Sequence, residues 1–587
     1  MNHRQTIGFI GLVISAVVLV MAACQPLLMP PGQMVLNPSA TQDEGDGFVD
    51  GLEKTATPVN TPVLNLPSPT AMPGAASTEI PAASTSTPVD EPLCVGVDEN
   101  LPAKFIESLR GTVEICESGE DPAASIGYGS AELLSEWVFA LTGPFNTVID
   151  GIAADELFNY WTQGQESPFK ELILDQSTLH AVSSLWGKPV GTVTVLDSDQ
   201  LLERASKDGN VWAILPFEAV SPRWKVISLD EQTPLSKHFD PATYPLTVPI
   251  GSLSGELSEA VKRNLADLPK SNRVSEKLTT VILTGVTALA RATAYDMEIR
   301  GVLQPAEEVA DELRDADILH ISNEVPFAAD CPYPNPYQPG SLKFCSDFKY
   351  MELFRYIGTD VVDLTGDHML DYGQQALLDT LAAYRQEGLP YFGSGINLKE
   401  AQTPVKFDIN GNKIAFVGCN GKKFGFLAAL DNAPGVFECG MDRLTEIIDQ
   451  LTAEGYNPIV TFQHDEVYSW HPSTRMIADF TAAANAGAVI VNGSQGHQPQ
   501  AMAFVDGNRF IHYGLGNLFF DQFGVGGDTD KAFIDRHIFY DNRYIGTELL
   551  TVKFLDYSTP RWMNKTERNL MLGTLFLFSE DLAKQPE

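Results

Sequence analysis

Six apolar runs in the C-terminal half of the chain each end in Gly or in a polar residue. They are VILTG (281–285), DILHISNE (317–324), DVVDLTGDH (360–368), NPIVTFQHDE (457–466), AVIVNGSQGH (488–497) and RFIHYGLGN (509–517). A β-branched run that stops at Gly and a hydrogen-bonding side chain is typical of a buried strand that carries a polar group to a sheet edge. We therefore expect these segments to deliver ligands or catalytic groups to one edge.

Four segments between these runs place apolar residues at spacings of three and four, which predicts amphipathic helices. They are 306–316, 374–388, 440–455 and 474–487. We expect these helices to cover the sheet faces, because an apolar stripe needs a surface to pack against. Residues 526–587 continue with a strand-like and a helix-like segment, and are expected to form a C-terminal extension packed on the same domain.

Residues 93–255 alternate strand-like and helix-like segments and predict a smaller α/β domain. The stretches VIDGIAADELFNYWTQG and VWAILPFEAVSPRWKVISLD resemble part of a periplasmic solute-binding lobe of the phosphate type. This resemblance implies solute binding but identifies no ligand. The aromatic side chains of the region are at least as readily core or surface residues as a ligand cage; they are Trp161, Trp212, Phe217 and Trp224.

Length and charge limit the class of protein. The chain has 587 residues and is 44% hydrophobic, which is enough for two folded domains with buried cores. Its formal net charge of −37 would repel nucleic acids and anionic membranes at long range. We therefore expect no nucleic-acid partner, and an acidic extracytoplasmic protein fits this composition better.

The N-terminus resembles a bacterial lipoprotein signal peptide, residues 1–24. Its apolar stretch, 7–20, is short for a membrane span, and VMAAC resembles a lipobox with Met21 where Leu is more usual. Cys24 would then carry a lipid anchor at the cell membrane, although ordinary signal cleavage before it is the alternative. Residues 25–92 are rich in Pro, Thr and Ser and predict a disordered tether.

The cysteines also indicate an oxidising compartment. The chain has seven, and setting Cys24 aside leaves six near neighbours: Cys94 with Cys116, Cys331 with Cys345, and Cys419 with Cys439. An even number suits disulfides, and local pairing is the simplest connectivity. A zinc site is the alternative, but no CxxC pair occurs.

The apolar runs carry motifs that resemble the CapA family of bacterial capsule or poly-γ-glutamate synthesis proteins. The motifs are TGVTALAR (284–291), SNEV (322–325), TGDHMLDYG (365–373), QHDE (463–466), GSQGH (493–497) and GLGNLFFDQ (514–522). The resemblance implies that residues 278–525 form a calcineurin-like metallophosphatase sandwich, with two sheets flanked by helices. It also implies a role in capsule or exopolymer biogenesis, with an envelope polymer or capsule-assembly membrane proteins as partners.

The resemblance breaks where the family would bind metal. The family's first Asp is Val286 here, and the first His of its Gly-His-x-Pro-His loop is absent near Ser494 and Gln495. A two-metal phosphoesterase needs carboxylate or imidazole ligands from several strands, and valine offers neither. Two-metal chemistry is therefore expected to be altered or absent.

The remaining residues predict one divalent ion, Zn, Mn or Fe, if the domain is an active hydrolase or phosphoesterase. The predicted ligands are Asp367, His464 and His497. By resemblance, His368 would donate a proton to a leaving group, Glu324 would bind metal or orient water, and Asn517 would face the cleft or cap a turn. The alternative is a catalytically degenerate polymer- or solute-binding protein, in which such side chains are hydrogen-bonded structural groups.

Overall fold

The computed structural model describes residues 94–117, 120–129, 132–253, 257, 259–337, 342–522 and 524–584. The predicted signal peptide (1–24), with Cys24, and the predicted tether (25–92) lie outside the described residues. The described residues form one compact unit, so the domain boundaries stay predictions from the sequence pattern.

The N-terminal part is an α/β layer whose strands follow the order β1-β2-β10-β3-β7-β5-β6, with β8 beside β3. Its strands are β1 (Val95–Val97), β2 (Ala124–Tyr128), β3 (Glu132–Pro144), β4 (Gly151–Ile152), β5 (Glu171–Leu174), β6 (Val193–Val195), β7 (Val211–Pro216), β8 (Trp224–Val226), β9 (Ser228–Leu229) and β10 (Thr247–Ser252). Its helices are α1 (Ala103–Arg110), α2 (Ala154–Gln163), α3 (Gln176–Trp186), α4 (Leu201–Ser206) and α5 (Glu259–Asn264). All four aromatic residues singled out above are buried and pack in core clusters: Trp161, Trp212, Phe217 and Trp224.

The second part is a sandwich of two larger sheets with helices outside. Its strands are β11 (Leu278–Thr287), β12 (Ile318–Asn323), β13 (Val361–Asp363), β14 (Tyr391–Phe392), β15 (Ser394–Gly395), β16 (Val405–Ile409), β17 (Asn412–Asn420), β18 (Gly435–Val436), β19 (Asn457–Gln463), β20 (Ile490–Gly493), β21 (Met502–Val505), β22 (Arg509–His512), β23 (Asn517–Phe519), β24 (Lys531–Tyr540), β25 (Arg543–Phe554) and β26 (Pro560–Trp562). Its helices are α6 (Arg291–Arg300), α7 (Ala310–Arg314), α8 (Met351–Tyr356), α9 (Gly373–Glu387), α10 (Leu398–Ala401), α11 (Met441–Ala453), α12 (Thr474–Asn485) and α13 (Lys565–Lys584).

The first sheet of the sandwich runs β14-β13-β12-β11-β24-β25-β26, and the second runs β16-β17-β19-β20-β22-β21. Alternate residues of β11 face opposite layers: Val281 and Leu283 pack between the sheets, whereas Ile282 packs against the outer helices. This period of two is the one expected of a strand buried on both faces. The predicted fold class, a two-sheet sandwich flanked by helices and preceded by a smaller α/β domain, is confirmed.

The helix predictions hold for three of the four segments. The helix expected over 306–316 is shorter: Ala306 closes a separate 3-10 turn, and α7 begins only at Ala310 and ends at Arg314. Residues after 525 do more than pack on the domain, since β24 pairs along β11 from Leu278 to Thr284. Within the described ranges, none of the helices combines the length and apolarity that a membrane crossing requires.

All three predicted disulfides are present. They join Cys94 to Cys116, Cys331 to Cys345 and Cys419 to Cys439. Their six sulfur atoms are therefore not zinc ligands. The third disulfide lies at the end of β17, where the site described next begins.

Candidate functional site

The carboxyl ends of parallel strands from both sheets meet in one cleft. Glu324 follows β12, Asp367 and His368 follow β13, and Lys422 and His464 follow β17 and β19. Parallel strands in open α/β sheets present their carboxyl ends together, which is where ligands usually bind. Glu324, Asp367 and His368 lie close together there and Lys422 bonds to Asp367, whereas His464 bonds to Asp479.

Three of these side chains form a close group. As far as the described residues go, Glu324, Asp367 and His368 place their potential ligand atoms within 4.8 Å of one another. His368 Nδ1 donates to Asp371 Oδ2 at 2.6 Å, and its Nε2 lies 3.6 Å from Glu324 Oε1. Glu324 Oε2 is buried and has no hydrogen-bond partner among the described residues. An orphaned buried oxygen of this kind marks a place where a proton, water or ligand belongs.

Burial and charge move the pKa values of this group apart. Burial, reinforced by the Asp367 charge, raises the pKa of Glu324 to about 8. Burial would also raise the pKa of Asp367, but Lys422 and His368 outweigh it and lower that pKa. Burial would lower the pKa of His368, but the Asp371 hydrogen bond and the nearby carboxylates raise it to about 9. Near neutral pH, the group therefore holds a protonated Glu324, an ionised Asp367 and a cationic His368.

Lys422 supplies a cation to the same cleft. Its Nζ donates to Asp367 Oδ2 at 2.6 Å and lies 3.5 Å from Glu466 Oε2. Gln463 Nε2 donates to the other Asp367 oxygen at 3.2 Å. With its amide oxygen turned toward the ammonium group, Gln495 accepts from Nζ at 3.0 Å. Asp367 is thus bonded through both of its oxygens to residues of the second sheet.

The two predicted histidine ligands have other partners. His464 Nε2 lies 2.9 Å from Asp479 Oδ2, while its Nδ1 is buried without a partner among the described residues. His497 Nδ1 donates to Asn517 Oδ1 at 2.9 Å, and Asn517 Nδ2 donates back to the His497 carbonyl oxygen. Among the described residues, neither histidine joins the close group of Glu324, Asp367 and His368. Their role as metal ligands stays a prediction, and Asn517 positions His497.

His497 has an unusual backbone. Its φ is +48°, in the left-handed region, which is uncommon for residues other than Gly and costs conformational energy. Arg291, at the start of α6, has a φ of +46°, and its side chain pairs with Asp521 Oδ1 at 3.0 Å. Two such residues on motifs that line the cleft indicate that the surrounding structure enforces their positions.

The described residues do not fit a two-metal centre. Val286, at the family's first Asp position, is fully buried in an apolar cluster with Ala288, Ala290, Val325, Phe344 and Phe520. Glu324, Asp367 and His368 fit one divalent ion in number and type. However, the ammonium group of Lys422 already bonds to Asp367.

Sequence reasoning missed Lys422, Asp371, Gln463 and Glu466 as parts of the site. Lys422 lies near the end of NKIAFVGCNGKK (412–423), an apolar run that ends in Gly and polar residues as the other six do. The same signal would have found it. Asp371 and Glu466 lie inside matched motifs, but only the fold shows that their side chains reach His368 and Lys422.

A cavity of about 480 Å³ adjoins the group. The Phe344 ring lies 4.5 Å from the His368 ring, and Phe344 also lines the cavity together with Arg291, Tyr333, Lys349 and Tyr372. The cavity lies beside the segment that the Cys331–Cys345 disulfide closes. Phe344 therefore contacts His368 and also lines a cavity of aromatic, cationic and acidic side chains, the last being Glu298 and Asp347.

Comparison with known proteins gives a consistent result. The family model described as "Bacterial capsule synthesis protein PGA_cap" matches residues 280–522. The capsule biosynthesis protein CapA of Bacillus anthracis is 27% identical over 50% of this chain and 70% of its own length. The PGA biosynthesis protein CapA of Bacillus subtilis is 24% identical over 46% and 71%. A phosphatase structure from Mycoplasma pneumoniae covers 49% of this chain and 96% of its own, at 14% identity and a TM-score of 0.30, which is too low to carry an argument.

Proposed function

We propose that this chain acts in the biogenesis of a capsule-type polymer, poly-γ-glutamate or a related exopolymer, because the family model described as "Bacterial capsule synthesis protein PGA_cap" matches residues 280–522. We further propose that the Glu324 cleft is an acid–base site that cleaves or transfers the polymer. Its relatives carry capsule or PGA biosynthesis in their names, which supports the first part.

The single observation that carries the second part is the pair of carboxylates Glu324 and Asp367. Their ligand atoms lie within 4.8 Å, and their pKa values shift in opposite directions. Two carboxyl groups whose environments separate their pKa values provide an acid and a base at one pH. In this proposal Glu324 is the acid and Asp367 is the base.

The step balances with water as the only co-reactant. Asp367 accepts a proton from a water molecule as its oxygen bonds to the reacting centre of the polymer, and Glu324 gives its proton to the leaving group. The cationic His368, held by Asp371, stabilises the negative charge that develops. In a transfer reaction a polymer hydroxyl or amine takes the place of the water.

The adjoining cavity supports a polymer as the substrate. Tyr333 is exposed at the cavity wall, and Phe344 lines the cavity and contacts His368. The cations Arg291, Lys343 and Lys349 outnumber the acids Glu298 and Asp347 in the cavity lining. Aromatic faces and cations suit the rings or carboxylates of an extended polymer better than a small neutral molecule.

We also propose the location and the partners that the sequence predicts. Lipidation at Cys24 would hold the chain at the outer face of the bacterial cell membrane, and the tether would let the cleft reach a growing polymer. Membrane proteins that assemble the capsule are the proposed partners. The ion predicted from the sequence, Zn, Mn or Fe, has no role in this step and is tested below.

The test uses the purified full-length chain with poly-γ-glutamate and, separately, a neutral polysaccharide. Polymer length is followed by size exclusion with light scattering. We expect shortening by the wild type, a loss of about 100-fold or more in rate in Glu324→Gln and Asp367→Asn, and no change in Asp506→Asn, an exposed control. Shortening that continues unchanged in both site variants would contradict the catalytic proposal.

The alternative function, a catalytically degenerate binding protein, makes a different prediction in the same assay. The wild type would then bind one polymer without shortening it, and a reduced affinity in Arg291→Gln would place that binding at the cavity. A wild type that neither binds nor shortens any tested polymer would contradict both functions.

A further inference from the structure

We infer that Lys422 is the resident cation of the cleft: its ammonium group neutralises Asp367 where a divalent ion would otherwise bind, and it keeps such an ion out. The inference rests on the proposed function for the identity of the reactive cleft. Its principal readout, metal binding, needs no substrate.

The Lys422 ammonium group is surrounded by oxygen atoms, as a bound metal cation would be. It has two carboxylate neighbours, Asp367 at 2.6 Å and Glu466 at 3.5 Å. With the Gln495 amide oxygen turned toward it, it gains a third oxygen at 3.0 Å. A lysine ammonium has three donors, so these neighbours account for all of them. Burial alone would lower the pKa of Lys422, but Asp367, Glu324 and Glu466 outweigh it and raise that pKa.

The backbone holds this lysine in place. The Lys422 side chain is only 12% exposed, and its backbone N–H donates to Asn420 Oδ1 at 2.9 Å. Asn420 in turn donates to the Thr365 carbonyl oxygen, two residues before Asp367. The Gly421 N–H donates to Gln463 at 2.6 Å, and Cys419 is tied to Cys439. These contacts fix the backbone on which Lys422 lies, and its side chain is largely buried, unlike that of a surface lysine.

The Val286 cluster agrees with this assignment. Where the family has its first Asp, this chain buries an apolar side chain, which removes one carboxylate from the site. A site with one fewer negative charge and one added ammonium group has a weaker attraction for a divalent cation, because like charges a few ångströms apart repel strongly in a buried setting. The apolar Val286 and the ammonium group of Lys422 therefore act in the same direction.

The experiment compares metal binding by the full-length wild type, Lys422→Met and Lys423→Met. Methionine keeps the apolar stem without the charge, and Lys423 is an exposed neighbouring lysine that serves as the matched control. Each protein is equilibrated with Zn²⁺ or Mn²⁺, and bound metal is measured by elemental analysis and by the shift in Tm. We expect Lys422→Met to bind one equivalent at least about tenfold more tightly than the other two. Adding Asp367→Asn to Lys422→Met should abolish the gain.

Two results would overturn the inference. One is a wild type that binds a full equivalent of metal with the affinity of Lys422→Met, since Lys422 would then be an ordinary ion pair that yields to the metal. The other is a folded Lys422→Met that gains no affinity. If Lys422→Met does not fold, Lys422→Gln and the wild-type measurement still decide. The polymer assay is run separately, without added metal. Shortening there would support the proposed function even if the metal-binding results overturn the assignment of Lys422.

Discussion

The Glu324 and Asp367 carboxylates lie within 4.8 Å of each other, yet only Asp367 is bonded to the Lys422 ammonium. This asymmetry separates their protonation. The pKa of Asp367 is lowered because Lys422 and His368 outweigh burial, whereas burial and the Asp367 charge raise the pKa of Glu324 to about 8. The cleft therefore carries one carboxyl group and one carboxylate at neutral pH.

The first prediction concerns the pH dependence of stability. The pKa of Glu324 is raised from 4.5 to about 8, so its contribution to folding is fully present below 4.5 and is lost as the pH rises through 8. Because one pKa unit corresponds to about 1.4 kcal/mol, the wild type should lose a few kcal/mol over this interval. Glu324→Gln should flatten that loss in urea unfolding curves, and the exposed control Glu308→Gln should not. Parallel curves for all three proteins would count against a buried, protonated Glu324.

A second prediction concerns His368. Burial lowers its pKa, but the Asp371 hydrogen bond and the nearby carboxylates raise it to about 9. Asp371→Asn should lower the pKa of His368, because it removes the hydrogen bond and the charge that raise it, as followed by the NMR titration of its ring proton. The same variant should reduce the stability that is present below 6.5 and lost as the pH rises through 9.

The matched control is Asp479→Asn, which removes the acidic partner of a different cleft histidine, His464. Burial lowers the pKa of His464 and Asp479 opposes that effect, so this variant should lower the pKa of His464 further and leave His368 unchanged. If the pKa of His368 falls in both variants, the change reflects the cleft as a whole and does not report a specific contact with Asp371.

Much of this arrangement could be predicted, because a strand and the polar residue at its end are recognised from neighbouring residues in the sequence. The alternation along β11 and the polar residue at each strand end identify the sheets and the edge where the site forms. Glu324, Asp367 and His368 follow directly from that rule. The helix predicted over 306–316 is shorter in the structure, because Ala306 still belongs to the 3-10 turn Gln304–Ala306 and α7 spans only Ala310–Arg314.

The partners of each site residue could not be predicted in the same way. His464 pairs with Asp479, on α12, and Asp367 pairs with Lys422, 55 residues away. Such contacts depend on how the two sheets are stacked, and single-sequence patterns contain no information about that. The three predicted metal ligands, Asp367, His464 and His497, therefore bond to Lys422, Asp479 and Asn517 respectively.

A third prediction concerns Val286, which fills the family's first Asp position. Val286→Asp would bury a carboxyl group among Ala288, Val325 and Phe520, and its pKa would rise, so the stability loss should grow with pH. Val286→Asn has a similar size and no charge, and should cost about 1–3 kcal/mol independently of pH. Unfolding free energies from about pH 5 to about pH 9 separate the two variants.

Metal addition sharpens this test. If Lys422 remains on Asp367, Zn²⁺ or Mn²⁺ should not restore the Tm of Val286→Asp, because the Lys422 ammonium still occupies Asp367 and repels a divalent ion. A recovery of the wild-type Tm at stoichiometric metal would mean that the family's metal site persists here and that Val286 alone had disabled it.

The last prediction uses two disulfides of nearly equal span to separate local from global effects. Cys419–Cys439 and Cys94–Cys116 close 20 and 22 residues, so each should contribute about 3 kcal/mol by restricting the unfolded chain. Replacing either pair with alanine should therefore lower the unfolding free energy by a similar amount. Only the Cys419–Cys439 pair adjoins Asn420 and Lys422, so only its removal should loosen the ammonium group and increase Zn²⁺ uptake above that of the wild type. Equal uptake in both double variants would show that the position of Lys422 does not depend on this disulfide, and that the hydrogen bonds of Asn420 suffice to hold it.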